Sequence, residues 1–428
     1  MSRREHVVHV GFADQDVSHI DFDSYDVTLL LDAYNHSLMP QHTRDRFARI
    51  GIIDTPHRIN VEDYDLSIGQ MIDHVSEFAR DLGAPRAIVG LYEHTVLPAA
   101  RLREAFGLPG TDVRTALLTR DKVLMKEALR EVVRVPRYWS VGSGTTEAEL
   151  TEIAAALPGK VVLKPKCQAA SFGVEIFDDA QSFLRHVRDR GIEDGHHVEE
   201  FVEGDVCHFD GFVRDGEIRF LHASRYLGDC FSFQYRREGL ASVALDDPDE
   251  VAVIRDFTQR VLNTLGLRDS AFHLEAFRTP EGGLVFLEIA GRFGGGYIRR
   301  HFEVAYELDL IRESIAACMN LPSAVDRPLT NLDLRDAGRG VAGWVHPALR
   351  EEARCRVTEV RGPDTYPASV ILAETPEVGT VFNDAPGLFV GSGLFILAGE
   401  STAQIEQDAR TIMNAYDVEV EVLPEPER

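Results

Sequence analysis

The chain has 428 residues, more than a single hydrophobic core usually serves, so two to four packed units are expected. Its composition, 44% apolar and 27% charged, is typical of globular domains and argues against wholesale disorder. The formal net charge of −25 argues against a nucleic-acid partner, because binding to a phosphate backbone depends on clustered Lys and Arg. An acidic chain can still bind a nucleotide through a few local cations, main-chain amides and metal ions.

The first third of the chain alternates short apolar runs with helical periodicity, which favours an α/β layer built on a parallel sheet. The apolar segments are Val7–Phe12, Tyr25–Tyr34, Ile50–Ile53, Ile68–Leu82 and Ala87–Tyr92. No GxGxxG motif follows the first run, so a dinucleotide site has no support. Glu93 ends the last run, where open α/β sheets usually bind ligands, and a solvated loop acid is the alternative.

A helix is predicted next, over Thr119–Val133, with Thr119 as its N-cap. Leu124, Ala128 and Val132 recur every four residues and are expected to form its buried stripe.

Two further regions are predicted beyond this helix. A strand at Tyr138–Val141 and a helix at Thr146–Leu157 open a new unit. After residue 322, short β-type runs such as Val370–Leu372 and Leu388–Leu397 are divided by Gly and Pro, and they are assigned to a separate small domain.

Cysteine spacing and apolar runs predict the compartment. The five cysteines are scattered and form no CxxC pair, which fits a reducing compartment and gives no support to a structural zinc site. The amino-terminal segment turns acidic before any apolar run long enough for a signal peptide, and no stretch approaches eighteen apolar residues. A cytoplasmic protein with no membrane span is therefore expected.

The strongest local pattern is the segment Ala271–Arg292, which predicts a hairpin whose turn is Thr279–Gly283. If the loop is symmetric about the bond between Glu281 and Gly282, two carboxylates face one another across the ladder, with Cβ atoms roughly 4.5–5.5 Å apart. These are Glu275 and Glu288.

Like charges opposite one another destabilise a sheet, so this pair requires a cation or a raised pKa on one member. Mg²⁺ meets that requirement, because it is typically held by one or two carboxylates together with substrate phosphates. The alternative is that the register differs and both acids are solvated on an outer face.

Two other segments gain meaning beside this hairpin. The strand Val161–Leu163 leads into Lys164, and the small residues Gln168–Ser171 can bring main-chain amides close to an anion. A lysine that ends an apolar strand is usually solvated when it stands alone. The segment His197–Gly204 is a strand that ends in acids and a turn, and its interest lies in its place between the other two.

Taken together, five segments resemble the successive motifs of the ATP-grasp superfamily, in the right order and at the right separations. They are TRDKVLMKEAL, VVLKPKCQAASFGV, HVEEFVEG, FHLEAF and FLEIAGRFGGGYI. The resemblance covers residues 85–305, is consistent with a pre-ATP-grasp domain before them, and fades after residue 325. Within the superfamily, EIAGRFGGG is similar to the acid-to-arginine stretch of the L-amino-acid ligases and of related carboxylate–amine ligases.

The resemblance implies roles for individual residues. Lys122 and Lys164 would contact the nucleotide phosphates, and Ser171 would lie in the mobile loop that covers them. The adenine edge would be formed mainly by main-chain groups of Glu199, Glu200 and Val202.

The remaining implied roles concern the metal and the chemistry. Glu275 and Glu288 would be the Mg²⁺ ligands, with Mn²⁺ able to substitute. Arg292 would be the catalytic arginine that stabilises the transferred phosphoryl group and the resulting acyl phosphate.

The sequence departs from the common pattern at two positions. Ala290 stands where many members have Asn as a third metal ligand, and Val206 stands where many have a ribose-binding Glu. Asp205, His208 or Asp210 could replace that Glu, and Asp205 is ranked first.

The fold class implied by the resemblance combines α/β and α+β units. An amino-terminal, Rossmann-like pre-ATP-grasp α/β domain would span residues 1–115. The ATP-grasp domain would span 116–322, with lobes 116–197 and 198–322, and a small α+β domain would follow over 323–428.

The implied function is an ATP-dependent ligase that joins a small-molecule carboxylate to an amine through an acyl phosphate, with an amino acid as at least one substrate. His222 and Arg225 are candidates for contacting the acid, with a purely structural role as the alternative. The competing functions are a carboxylase that phosphorylates bicarbonate, a small-molecule kinase, and a nucleotide-binding regulator with a degenerate site. A homodimer is kept open as the assembly.

Overall fold

The computed structural model describes residues 4–56, 63–349, 351, 353–382 and 392–424. Within these ranges no helix is both long and apolar enough to cross a lipid bilayer.

The first sheet is parallel, and its strands are apolar runs because both of its faces are covered. Its strands are β1 (Glu5–Val10), β2 (Tyr25–Asp32), β3 (Arg49–Ile53) and β4 (Pro85–Gly90), in the order β3-β2-β1-β4. The helices of this region are α1 (Ala33–Leu38), α2 (Gln41–Arg44), α3 (Asp63–Leu66), α4 (Ile68–Leu82), α5 (Val96–Phe106) and α6 (Val113–Leu118). Val8 and Leu30 pack on α4 and α5, whereas Val7 and Leu29 face the rest of the molecule. The predicted parallel α/β layer is confirmed.

The second sheet is antiparallel and carries two helices on one face. Its strands are β5 (Tyr138–Val141), β6 (Val161–Pro165), β7 (Glu175–Phe177) and β8 (His196–Glu200), in the order β5-β8-β6-β7. Helix α7 (Lys122–Leu129) precedes these strands, and α8 (Glu147–Ala156) and α9 (Ala180–Arg190) lie between them in sequence. Phe183 is fully buried between α8, α9 and the sheet. Thr146 and Asp179 begin these two helices as side-chain caps.

The helix predicted over Thr119–Val133 is shorter than expected. It begins at Lys122, because the side chain of Asp121 accepts hydrogen bonds from the next two free main-chain amides and caps the helix there. The predicted buried stripe is wrong at Leu124, which is 42% exposed, whereas Ala128 and Val132 are half-buried against the core. The buried face instead carries Lys122, Met125, Lys126 and Leu129.

The third sheet is the largest, with nine strands. They are β9 (Asp205–Arg214), β10 (Glu217–Leu227), β11 (Leu240–Ala244), β12 (Ser270–Arg278), β13 (Leu284–Ala290), β14 (Leu329–Thr330), β15 (Val341–His346), β17 (Val370–Glu374) and β19 (Leu394–Gly399). The order is β13-β12-β9-β10-β11-β15-β19-β17, and β14 pairs with β10.

Helices pack on both faces of this sheet. They are α10 (Cys230–Arg236), α11 (Pro248–Leu265), α12 (Ile298–Tyr306), α13 (Leu310–Cys318), α14 (Asn331–Leu334) and α15 (Thr402–Ala415). On one face, Phe209 and Phe272 pack against α11 around Phe257. On the other, Phe220 packs against Phe302 of α12, and α13 contacts both this sheet and β4 of the first. Helix α13 therefore links the first unit to the third sheet.

The last hundred residues contribute strands to the same third sheet. Strand β15 pairs with β11, and β19 pairs with β15, so the hydrogen-bonded ladder continues across the boundary predicted at residue 322. Only a small three-stranded sheet of β16 (Cys355–Arg361), β18 (Val381–Phe382) and β20 (Asp417–Val422) stands apart. The predicted run Leu388–Leu397 begins outside the described residues, and its described part is a strand from Leu394.

Candidate active site

A cavity of about 650 Å³ lies between the second sheet and the β12–β13 hairpin of the third. Nine of the residues singled out from the sequence line it: Lys122, Lys164, Ser171, Glu199, Glu200, Val202, Glu275, Glu288 and Arg292. Their convergence on one cavity follows from the order of the sheets, because the lysines, the β8 segment and the β12–β13 hairpin are far apart in sequence.

Two carboxylates meet across the hairpin as predicted. Glu275 of β12 is paired with Glu288 of β13, but the route to this register differs from the expected one. Near the turn, Arg278 pairs with Leu284, so the loop is symmetric about Glu281 itself. A bulge at Leu287 then shifts the ladder by one residue and restores the predicted pair.

Each carboxylate has one oxygen held by neighbours. Oε1 of Glu275 accepts a hydrogen bond from the Tyr226 hydroxyl at 3.2 Å and lies 3.3 Å from His273 Nε2. Oε2 of Glu288 lies 3.1 Å from Lys122 Nζ. Among the described residues, the other oxygen of each carboxylate has no partner, which fits a site for a divalent cation.

The Lys122–Glu288 contact favours the charged form of both groups, although Lys122 is buried and Glu288 is half-buried. Burial raises the pKa of Glu288, but Lys122 and then Lys164 outweigh it, so the pKa is lowered overall. Burial lowers the pKa of Lys122, and Glu288 more than compensates, so that pKa is raised.

Glu199 lines the cavity, and its side chain is engaged with a second group of cations. Its Oε1 contacts Lys164 Nζ, and its Oε2 lies 3.2 Å from Lys126 Nζ and 3.4 Å from His197 Nε2. Burial raises the pKa of Glu199, but Lys126 and Lys164 outweigh it and hold that pKa well below its usual range. Lys164, predicted to contact phosphates, is therefore oriented by Glu199.

Lys126 was missed by the sequence reasoning. It is fully buried, and burial lowers the pKa of its ammonium to about 8, with neighbouring Lys164 acting in the same direction and Glu199 against it. One signal could have found it: Lys126 lies four residues after Lys122 and so shares a face of α7.

The segment between β6 and β7 lies over the lysines. Ala170 and Ser171 both have positive φ, +61° and +58°, an unusual backbone for residues other than glycine. Lys122 Nζ donates to the Gln168 carbonyl oxygen at 2.5 Å. The Tyr235 hydroxyl of α10 donates to the Ser171 carbonyl and accepts from the Gly173 amide, both at 3.0 Å. Tyr235 thus holds the loop at two points.

The segment after β8 supplies another wall. Val202 is buried and lines the cavity, while the Glu200 side chain turns to Arg137, with its Oε2 at 2.7 Å from Arg137 Nε. The Glu200 amide donates to the Arg137 carbonyl. Any contact of Glu200 with a ligand in the cavity would therefore come from its remaining main-chain groups.

The candidates for the ribose position do not converge on the cavity. Val206 lines it, and Asp205, one residue earlier on the strand, is exposed and does not. His208 and Asp210 are buried in a hydrogen-bond network beneath the site. The role proposed for Asp205 is left without geometric support.

Arg292 connects the hairpin to the first unit. Its Nε donates to Glu93 Oε2 at 2.7 Å, and its Nη1 donates to the Phe293 carbonyl oxygen at 2.7 Å. Glu93, noted at the carboxyl end of the last strand of the first sheet, is therefore an ion-pair partner of the predicted catalytic arginine.

His222 and Arg225 do not line the cavity. His222 is buried and bonded to Tyr306 and Ser224, and Arg225 pairs with Glu406 of α15 at 2.8 Å. The structural alternative for these two residues is the one that the contacts support.

A chain of buried polar side chains runs beneath Glu275. His273 Nδ1 lies 2.8 Å from Asp210 Oδ1, and the other Asp210 oxygen lies 2.5 Å from His208 Nδ1. Burial lowers the pKa of His273, but Asp210 and Glu275 outweigh it and raise that pKa to about 10. His273 is paired with both Asp210 and Ala290 across the ladders, so its ring lies beside the position where the sequence lacks a third acid or amide ligand.

Comparison with known proteins places this geometry. No protein-family model matches the chain. The architecture is similar to an L-amino acid ligase from Bacillus licheniformis, with a TM-score of 0.68 at 15% identity over 98% of this chain and 99% of the other. It is also similar to the biotin carboxylase domain of the Hydrogenobacter thermophilus 2-oxoglutarate carboxylase, solved with MgADP and bicarbonate (TM-score 0.64, 15% identity, 98% and 92% coverage). The chain has the ATP-grasp fold.

A sequence relative is more specific. The L-arginine-specific L-amino acid ligase of Bacillus subtilis is 28% identical over 243 residues, which are 53% of this chain and 56% of the relative. The match therefore spans just over half of that protein. The predicted resemblance to ATP-grasp carboxylate–amine ligases, among them the L-amino-acid ligases, is confirmed.

Proposed function

We propose that this protein is an ATP-dependent ligase that joins a carboxylate to an amine through an acyl phosphate and uses an amino acid as at least one substrate. The observation that carries the proposal is the meeting of Glu275 and Glu288 with Lys122, Lys164 and Arg292 in one cavity. Paired acids, two lysines and an arginine form the charge pattern that phosphoryl transfer requires.

ATP and Mg²⁺ fit the cavity by its chemistry. Glu275 Oε2 and Glu288 Oε1 have no partner among the described residues, so both can take up a divalent cation without giving up a contact. Bound there with nucleotide phosphates, the cation would neutralise charge on the phosphate oxygens. Mn²⁺ has the same preference for oxygen ligands.

The side chains of the protein divide the remaining work. Lys122 and Lys164 are charged, nearly buried and held in place by Glu288 and Glu199, so they can bind phosphate oxygens with little reorganisation. Arg292 presents a planar guanidinium oriented by Glu93, which suits the charge that develops on the transferred phosphoryl group and on the acyl oxygen.

An activated acid is needed because a free carboxylate has a poor leaving group. Once the γ-phosphoryl group of ATP is on the carboxylate, the amine attacks the acyl carbon and phosphate leaves. The similarity to L-amino-acid ligases supports an amino acid as one substrate, since the sequence relative acts on L-arginine by its name.

The test is release of ADP and phosphate with Mg²⁺ and ATP across a panel of amino acids, single and in pairs. We expect ADP formation that requires both an acid and an amine and that disappears in Glu288→Ala. ATP binding without turnover across the panel would favour the regulator instead.

Hydroxylamine separates the ligase from a kinase. An acyl phosphate gives a substrate-derived hydroxamate, whereas the phosphate ester made by a kinase that uses a hydroxyl group does not. If an added acid gives its hydroxamate when bicarbonate is left out, the carboxylase is excluded as well.

A further inference from the structure

The two facing acids differ in what holds them. Glu288 Oε2 contacts one side chain, that of Lys122, whereas Glu275 Oε1 is shared by a tyrosine hydroxyl at 3.2 Å and an imidazole nitrogen at 3.3 Å. Tyr226 and His273 come from different strands, β10 and β12, and both are largely buried. A hydroxyl donor and an imidazole nitrogen in ion-pair contact, both at one oxygen, restrict the rotation of the carboxylate and direct its second oxygen away from them.

His273 is itself held from behind. Its Nδ1 lies 2.8 Å from Asp210, which is fully buried. Asp210 also binds His208, whose Nε2 lies 2.7 Å from the Ser242 hydroxyl. Both ring nitrogens of His208 and of His273 therefore have a partner. The imidazole of His273, which faces Glu275, cannot rotate without breaking a buried contact.

The glycine-rich loop closes the other side. A Cβ atom at Gly294 would lie 2.6 Å from Asp210 Oδ1 and 3.0 Å from His273 Nδ1, so the loop backbone is packed directly on this pair. Arg292 lies in the same segment, two residues before Gly294. The side chains that support Glu275 and the loop that carries Arg292 therefore pack against each other.

We propose that His273 is a positioning residue for the metal site: held by Asp210 and His208, it fixes Oε1 of Glu275 together with Tyr226 and reserves Oε2 for a divalent cation. The inference rests on the proposed function, because it requires that a cation bind with a nucleotide at Glu275. Partners that orient a ligating carboxylate commonly change metal affinity by 10–100-fold when removed.

The test is binding of Mn²⁺ in the presence of ADP, followed by the electron paramagnetic resonance signal of free Mn²⁺, which requires no turnover. We expect His273→Ala to weaken Mn²⁺ binding by about 10-fold. The affinity for ADP without metal should stay within about twofold of wild type, which also shows that the cavity is intact.

Tyr226→Phe is the second variant, since it removes one hydroxyl from the same oxygen and keeps the ring in the core. It should weaken Mn²⁺ binding in the same direction. His74→Ala, which changes a half-buried histidine on α4 that does not line the cavity, is the matched control and should bind Mn²⁺ as wild type does.

The outcomes separate the two claims. Wild-type Mn²⁺ affinity in both His273→Ala and Tyr226→Phe would overturn the positioning role and leave the ligase proposal standing. Failure of the wild-type protein to bind Mn²⁺ with ADP at all would overturn both.

Discussion

Glu199→Gln is the change that most directly tests the charge arrangement of the site. The substitution keeps the size of the side chain and removes the negative charge between Lys126 and Lys164. Lys126 is fully buried and Lys164 is 5% exposed, so neither ammonium group can turn to water for compensation.

The expected cost follows from the burial of these partners. Removing one member of a buried ion pair costs about 3–5 kcal/mol. Burial already lowers the pKa of Lys126 to about 8, so Lys126 can lose its proton and avoid part of this cost. We therefore expect the lower end, about 3 kcal/mol at pH 7, and, with the entropy of unfolding scaled to 428 residues, a fall in melting temperature of about 3 °C. The loss should be smaller at pH 9 than at pH 6, because Lys126 is then neutral in the variant.

Thermal and urea unfolding at the two pH values provide the measurement. Glu200→Gln is the matched control: it is the next residue on β8, and its partner Arg137 is half exposed, so a loss below about 1 kcal/mol is expected. Adding Lys126→Met to Glu199→Gln should recover stability, because an apolar side chain then replaces the unpaired ammonium. A loss under 1 kcal/mol for Glu199→Gln, independent of pH, would refute the reasoning.

Three further predictions concern the loop, the first sheet and the third. Tyr235→Phe removes both hydrogen bonds to the loop at Ser171 and should raise the KM for ATP severalfold with the fold unchanged. Tyr138→Phe is the control and should leave the KM for ATP unchanged. ADP-release kinetics measure both variants. Burial lowers the pKa of His9 to about 4. The stability that depends on this neutral imidazole is therefore present above pH 6.5 and is lost as the pH falls towards 4. Between pH 7 and 4.5, chemical unfolding should show that the free energy of unfolding falls by about 2–3 kcal/mol less in His9→Asn than in wild type. Gly211→Ala should prevent soluble expression, because its Cβ would lie 1.9 Å from a main-chain oxygen.

The elements whose pattern is local were predicted well. The strands of the first sheet are apolar runs because they are buried on both faces, and their parallel arrangement follows from the helices between them. A loop symmetric about the Glu281–Gly282 bond predicts Glu275 opposite Glu288; the loop is in fact symmetric about Glu281, and a bulge at Leu287 restores the predicted pair. The bulge at Leu287 could not be predicted, since it adds a residue to one strand without changing the apolar pattern.

Residues whose environment is set by distant segments were predicted less well. The sequence predicts Glu199 at the adenine edge mainly through its main chain, and it gives no sign that the carboxylate lies between lysines from α7 and β6, which only the assembled sheets bring together. Lys126 was overlooked because a lysine on a helix is ordinarily solvated. The support of Glu275 by His273 likewise depends on β9 lying next to β12. The roles of these residues in catalysis remain predictions.

The continuity of the third sheet bears on how such proteins can be rearranged. Strand β15 belongs to the last hundred residues, yet its Trp344 forms part of the cavity wall. A chimera that exchanged everything after residue 322 with a homologous chain would therefore rebuild one side of the pocket, and would not simply swap an accessory module. Deleting that part would expose the hydrogen-bonding edge of β11, a ready template for pairing with other chains. Crossover points for chimeras should therefore be chosen outside this ladder, so that the carboxyl-terminal strands stay with the cavity they help to form.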